Sequence, residues 1–272
     1  MTQNREMKTK DKILLFIPGY NCEKQITRVL AQLDSEVLSY ISKIIMVNNR
    51  STDNTEQAVM DYGEQHKELD LALLRNDDNY ILGGSHKVAF SYAIENHYDY
   101  VIVLHGDDQG DIHDILPVLK SGEYKKHDSC LGARFMKGSK LIGYSTIRIL
   151  ANRGFNLLFS IVCGRGIKDL GSGLNLYKVD TLKNGYYKKY PDKLYFNDVM
   201  ILATSYYKQD IHFFPITWKE EDQVSNVKQF AFGRELLKMA FSYFFNRKNY
   251  MNREMREKVV KEYTYKVVYE NK

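Results

Sequence analysis

Cysteine is scarce in this 272-residue chain. Cys22, Cys130 and Cys163 are odd in number, far apart and never in a CxxC pair. That pattern fits a reducing compartment better than a disulfide framework or a cysteine zinc site. No apolar run of roughly 18 residues occurs, so no transmembrane helix is expected. Residues 1–12 are polar and charged, without the apolar core of a secretion signal, which points to the cytoplasm. Internal repeats and low-complexity tracts are absent. No G-x-G-x-x-G follows the first apolar run, which argues against a dinucleotide oxidoreductase. Excess charge is also missing from most of the chain. The net charge is +5, and residues 229–272 alone hold ten Lys/Arg against five Asp/Glu, so the body before them is neutral. The basic tail points to an anionic surface, a membrane face before nucleic acid, or to a solvated helical face.

What is present is organised around residues 98–111. Val101 to Leu104 is a short apolar run, as expected of a strand buried on both faces of a parallel sheet. It empties into His105, Gly106, Asp107, Asp108, Gln109, Gly110 and Asp111. Ligands of open α/β sheets lie beyond the carboxyl ends of such strands, and cations that bridge phosphates take carboxylate oxygens. The stretch therefore reads as a metal–phosphate site, or else as a solvated turn with Asp111 capping a helix.

Upstream, the order strand, polar loop, helix repeats. Strands are expected over 12–17, 43–47 and 70–75, and helices over 23–40, 51–66 and 82–96, the second capped by Ser51 or Thr52. This alternation predicts right-handed βαβ units and a parallel sheet with its polar loops at one edge. Gly83 and Gly84 open a helix there and would let backbone amides approach a diphosphate. Past Asp111 the pattern changes. Helices are expected over 112–119, 144–162 and 197–208, and strands over 128–133, 174–179 and, as the last strand, 211–216. A charged loop, 219–228, follows. Over 230–245 apolar residues cover most of a helix and leave a narrow polar stripe of Arg234, Glu235, Lys238 and Ser242. That helix suits a bilayer interface, or packing on the body or on a second subunit in a homo-oligomer. Residues 258–270 suit helix and strand equally.

Seven motifs in order resemble the family-2 glycosyltransferases of GT-A fold, over residues 12–228. Ile17-Pro18-Gly19-Tyr20-Asn21 resembles I-P-x-Y-N. Residues 47–55, with Asn48, Asn49 and Asp53, resemble V-D-D-G-S-x-D-x-T, and residues 79–89, with Gly84, resemble N-x-G-x-G-x-A. His105-Gly106-Asp107-Asp108-Gln109 sits where D-x-D-x-Q belongs. Gly132-Ala133-Arg134-Phe135 resembles G-S-R-Y/F, and Asp169 to Gly173, with Ser172, resembles D-x-x-S-G. Phe214 to Trp218 with Ser225 to Lys228 resembles P-I-x-(F/W)…S-x-x-K. The nearest branch looks like the polyprenyl-phosphate glycosyltransferases, including dolichyl-phosphate mannose synthase. The Q-x-x-R-W signature of processive synthases is absent.

The resemblance implies an α/β domain over 1–228 with a mostly parallel central sheet flanked by helices, and a helical extension over 229–272. It implies one inverting transfer from a nucleotide sugar to a polyprenyl phosphate, with Mg2+ or Mn2+ and no nucleic acid. A glycan or glycolipid hydroxyl is the other acceptor, and a non-catalytic nucleotide-sugar-binding protein is the reading from another class. Pro18, Tyr20, Asn21, Asn48, Asn49, Asp53, Arg75, Gly84, Lys87 and His105 would line the donor. Asp107, with Gln109 and His105, would hold the metal. Arg134, Arg148, Arg153 and Ser172 would meet the acceptor, because a planar guanidinium suits phosphate oxygens. Asp198 is the candidate base for a hydroxyl. Asn48, Asn49 and His105 replace acids of the family pattern. The expected location is the inner membrane face, attached peripherally through 229–272.

Overall fold

The computed structural model describes residues 10–221 and 229–272. The expected motif residues Ser225 to Lys228 lie outside them. Strand β1 (Ile13–Gly19) is buried at every position. It is followed by α1 (Glu23–Ala31) and α2 (Ser35–Leu38), then β2 (Lys43–Asn48), α3 (Thr55–Gln65), β3 (Leu71–Asn76), α4 (Ile81–Glu95) and β4 (Tyr100–Leu104). Beyond the acid loop come a 3-10 turn (Ile112–Ile115), α5 (Leu116–Lys120), a second 3-10 turn (Glu123–Lys126), β5 (Ser129–Ala133), β6 (Lys140–Ile142), α6 (Thr146–Cys163) and β7 (Leu174–Lys178). Then follow α7 (Phe196–Tyr206), β8 (Ile211–Pro215), β9 (Thr217–Lys219), α8 (Gln229–Phe245), α9 (Arg247–Asn252) and β10 (Tyr265–Glu270).

Eight strands form one sheet in the order β10-β3-β2-β1-β4-β7-β5-β8. The pairs β1–β2, β2–β3, β1–β4 and β5–β8 are parallel, as the βαβ alternation predicts. β7 runs antiparallel between β4 and β5, and β10 antiparallel to β3 at the edge. Side chains alternate across the sheet. Leu14 and Phe16 enter one core with Phe90, Phe159 and Tyr243, while Ile13, Leu15 and Ile17 enter the other with Ile26, Val29 and Val59. Both faces are covered, so the strands read as unbroken apolar runs. The three cysteines are buried and free.

The structure departs from the sequence reading in five places. The helix expected over 23–40 is two helices. Gln32 turns out of the first, its side chain donating to Asp108 Oδ1 at 3.1 Å and to Gly110 O at 3.3 Å and accepting from Ile112 N at 3.0 Å. Asp34 caps the second, accepting from Val37 N at 2.9 Å. Neither Ser51 nor Thr52 caps α3. Both bind Asn21 instead, and Asp53 Oδ1 accepts from Thr55 N at 3.0 Å. β8 is not the last strand, because β10 covers the open edge of β3, where unpaired backbone would otherwise face solvent. The tail is not purely helical, and one face of α8 packs into the core through Leu236, Met239, Ala240 and Tyr243.

The fifth departure is Lys87, expected at the diphosphate. It is fully buried under the tail, and its Nζ donates to Tyr190 O at 2.5 Å, Asp192 Oδ1 at 2.6 Å and Tyr263 OH at 3.1 Å. Burial lowers its pKa to about 8 against the opposing pull of Asp192. Three acceptors satisfy all three ammonium protons. Lys87→Met would leave Asp192 partly buried without a cation. It is expected to cost about 3 kcal/mol, read as a lower urea midpoint at unchanged slope.

Candidate active site

The loops after β1, β2, β3 and β4 meet at one edge of the sheet, and hydrogen bonds among them set their shape. Gly106 N donates to Pro18 O at 3.0 Å, tying the acid loop to the end of β1. A Cβ on Gly106 would lie 2.9 Å from that carbonyl, so the approach requires glycine. Asn21 has φ of 50°, and its side chain accepts from Thr52 N at 2.8 Å, while Tyr20 beside it stays exposed. Asp53 Oδ2 accepts from Glu23 N at 3.1 Å, so Asp53 braces two loops.

Asn48 and Asn49 are buried and fully engaged. Asn48 donates to Glu56 Oε1 at 2.5 Å and accepts from Ser51 N at 2.9 Å. Asn49 donates to Asn79 Oδ1 at 2.8 Å and accepts from Asn76 Nδ2 at 3.0 Å and Tyr80 N at 2.8 Å. Arg75 spends its guanidinium on Glu56, which its presence holds below the usual carboxylate range. The amides expected to face a diphosphate are also used: Gly83 N donates to Asp192 O at 2.7 Å and Gly84 N to Tyr80 O at 3.1 Å. Glycine is needed there for packing, since a Cβ on Gly83 would lie 2.3 Å from Pro191 O.

The acid loop divides its charges. Asp108, at φ of 60°, turns to Arg28 at 2.5 Å. Asp107 accepts from Gln109 N at 3.3 Å, and burial, with Asp108 adding repulsion, raises its pKa to about 6. His105 lies against Gly173 and 6.2 Å from the His86 ring. Burial, with the charge of Arg134 adding, lowers its pKa to about 4, so it is neutral. Its Nε2 is buried without a partner among the described residues. Among the described residues, the one grouping of three His, Cys, Asp or Glu ligand atoms lies elsewhere, at Glu123, His127 and His212. Asp107 does fit a cation, because a counter-charge would relieve a buried carboxylate.

Among the residues expected to meet the acceptor, Arg134 is committed to a carboxylate. It meets Asp169 through Nε and one terminal nitrogen, each at 2.8 Å, and donates to Gly171 O at 2.9 Å. Its backbone N also donates to Asp169, at 2.8 Å. The guanidinium lies 5.1 Å from the Phe135 and Trp218 rings. Arg148 pairs with Glu220 at 2.5 Å over the Tyr144 ring, whereas Arg153 is exposed with no ion-pair partner among the described residues. Ser172 is buried and donates to Leu174 O at 3.2 Å. Asp198, in the first turn of α7, is buried beside the negative Asp169, and these effects raise its pKa to about 8 despite Arg134. Neighbouring Asn197 leaves its side-chain oxygen without a partner among the described residues. Gly132, Asp169, Ser172 and Asn197 line a small cavity beside them.

The fold thus gathers Asp107, His105, Arg134, Asp169 and Asp198, and keeps Arg75 and Lys87 in ion pairs. Asp169, Glu56 and Asp192 went unread as site partners. Asp169 had a signal, since it opens the D-x-x-S-G motif. Glu56 and Asp192 had none, because each meets its cation through tertiary packing.

The family described as Glycosyl transferase family 2 matches residues 15–185. An undecaprenyl-phosphate mannosyltransferase of Micrococcus luteus is 24% identical over 172 residues, 63% of this chain and 68% of that one. The structure of S. aureus TarS in complex with UDP-GlcNAc superimposes with TM-score 0.58 at 17% identity, covering 86% of this chain and 67% of that one. The mannosyltransferase PcManGT of Pyrobaculum calidifontis, in complex with GDP-Man and Mn2+, superimposes with TM-score 0.58 at 14% identity, covering 88% and 64%. These neighbours share the GT-A fold. The family pattern spans more than half of the chain, and this protein is a glycosyltransferase belonging to family 2.

Proposed function

We propose that the enzyme transfers one sugar, with inversion, from a nucleotide-diphosphate sugar to a polyprenyl phosphate while docked on a membrane. One observation carries this reading: an apolar surface runs from the acceptor side of the site. Ile147, Leu150, Leu157 and Ile161 form an exposed stripe along α6, and Phe230, Leu237, Phe241 and Phe244 another along α8. Such contiguous exposed apolar area marks an interaction surface. The two helices pack together, with Gly233 against the Phe155 ring. The N-terminal end of α6 reaches the site through Tyr144, whose ring is 5.8 Å from Phe135, next to Arg134. Arg153, Arg234 and Lys238 are exposed on these helices and suit an anionic headgroup layer. No described helix is long and apolar enough to cross a membrane, and the attachment in this proposal is peripheral, at the inner face. The Micrococcus luteus relative, by its name, acts on undecaprenyl phosphate.

In this reading an ionised phosphate oxygen of the acceptor attacks the anomeric carbon from the face opposite the leaving diphosphate. The carbon–oxygen bond to that diphosphate breaks, and no base is required. Asp107, with His105 and Gln109, would hold Mg2+ or Mn2+; when bound, the cation would neutralise the departing diphosphate. Arg134 positions Asp169 and the D-x-x-S-G loop, and Arg148 and Arg153 meet the acceptor nearer the apolar face. Asn48 and Asn49 act through the loops they fix. A second reading rests on Asp198, whose raised pKa suits a base for a hydroxyl acceptor.

Four outcomes are expected. Asp107→Ala loses at least about two decades of transfer rate, and EDTA stops the unaltered enzyme, both read with radiolabelled donor. Asp198→Asn keeps most transfer to polyprenyl phosphate; a dead variant selects the hydroxyl reading. The same change raises stability. The folded pKa of Asp198 lies above its ordinary 3.8, so native stability from its proton is lost as pH rises from 3.8 to about 8. The gain in melting temperature with asparagine is therefore largest at pH 8 and above. The protein floats with anionic liposomes at low salt, and Leu157→Asp with Phe241→Asp abolishes flotation while donor hydrolysis persists.

A further inference from the structure

At the sheet edge opposite the acid loop, two histidines and two carboxylates converge from two separated stretches. Glu123 opens the 3-10 turn before β5, His127 ends that turn two residues before the strand, and His212 is the second residue of β8. β5 and β8 are parallel, with His212 beside Cys130 in register, so the group lies at the amino ends of both strands. Arg134 follows the carboxyl end of β5, so the cluster is separate from the transfer site.

The backbone around the cluster is fixed by its own bonds. Asp128 N and Ser129 N donate to Asp210 O at 3.1 and 3.2 Å, and Asp210 N donates to Asp128 Oδ2 at 2.8 Å. His127 lies between two acids, with Nδ1 2.5 Å from Asp210 Oδ2 and Nε2 2.9 Å from Glu123 Oε1. Two carboxylates facing the two nitrogens of one ring require positive charge between them. A second proton on His127 can supply it, and these carboxylates raise the ring's pKa against the effect of burial. A metal ion at Nε2 can supply it equally. The His212 ring is stacked 5.1 Å from that of His127, and burial together with His127 lowers its pKa, so it keeps a lone pair. One ligand atom from each of Glu123, His127 and His212 lies within 4.8 Å of the other two. Lys126 occupies only the other Glu123 oxygen, at 2.8 Å.

We propose that Glu123, His127 and His212 form a binding site for a divalent transition metal of the Zn2+ class, with Asp210 orienting His127 from behind. Two imidazoles and one carboxylate are a donor set that Zn2+ accepts and Mg2+ does not favour. A histidine that binds metal through one nitrogen commonly donates its other N–H to a carboxylate, which fixes the tautomer; Asp210 stands at that place. The ion would clamp the turn before β5 to β8, the edge strand of the sheet. Protons compete for the same nitrogens, so affinity rises with pH through the histidine range. The charged and titratable groups facing the site are Glu123, His127, Asp210, His212 and Lys126, with Asp128 behind.

The test uses untagged, EDTA-dialysed full-length protein, titrated calorimetrically with Zn2+ and, separately, Mg2+. Zn2+ should bind to saturation at this site in the unaltered protein and in Asp107→Ala, which separates it from the transfer site. His127→Ala and His212→Ala should each weaken binding at least tenfold, and Asp210→Asn about tenfold. Zn2+ should raise the melting temperature of the unaltered protein and not of the His127→Ala/His212→Ala double variant. Metal-free melts of each variant check that it folds. Failure to saturate, or equal affinity in the double variant, overturns the proposal and leaves His127 as a protonated bridge between two acids.

Discussion

Burial of the central strands on both faces governs this molecule. With helices over each side of the sheet, β1, β2 and β4 hold apolar side chains on both sides, and polar groups emerge only where strands end. The parallel pairs carry the carboxyl ends of β1, β2, β3 and β4 to one edge. The acid loop, the asparagine loop and the Pro18 turn meet there. The loops then hold one another: Gln32 bridges Asp108, Gly110 and Ile112, Asn49 bridges Asn76, Asn79 and Tyr80, and Gly106 closes on Pro18.

Electrostatics in that edge are nearly closed. Arg75 answers Glu56, Lys87 answers Asp192, Arg134 answers Asp169, and Asp108 answers Arg28. The Lys87–Asp192 and Arg134–Asp169 pairs are largely buried, and such a pair is costly to break from one side, so these two cations hold loops in place. Two carboxylates are left in a different condition. Asp107 and Asp198 both have raised pKa values from burial, on opposite sides of the Arg134 pair in chain order. Perturbed acids in a cleft are where chemistry concentrates.

The tail joins the fold at both ends of its length. Its last strand closes the β3 edge, and Tyr263 covers Lys87. α8 buries Tyr243 on one side and presents Phe241 and Phe244 on the other, beside the exposed stripe of α6. A helix with two apolar faces is read as ambiguous from periodicity, and the ambiguity is real, since one face packs and one does not.

The sequence by itself determined the strand–loop–helix alternation, because continuous apolar runs of strand length and 3.6-residue spacing are local properties. It also determined the place of the acid loop after β4 and, through ordered motifs, the family. The helix break at Gln32 and the brace at Asp53 were less legible, since they depend on partners distant in the chain. Only the tertiary structure decided which cations are spoken for. Arg134 and Lys87 look alike as phosphate binders in sequence; Asp169 lies 35 residues from the first, and Asp192 lies 105 from the second. Long-range ion pairing leaves no periodic trace in a chain, so it becomes visible only once the strands have brought the partners together.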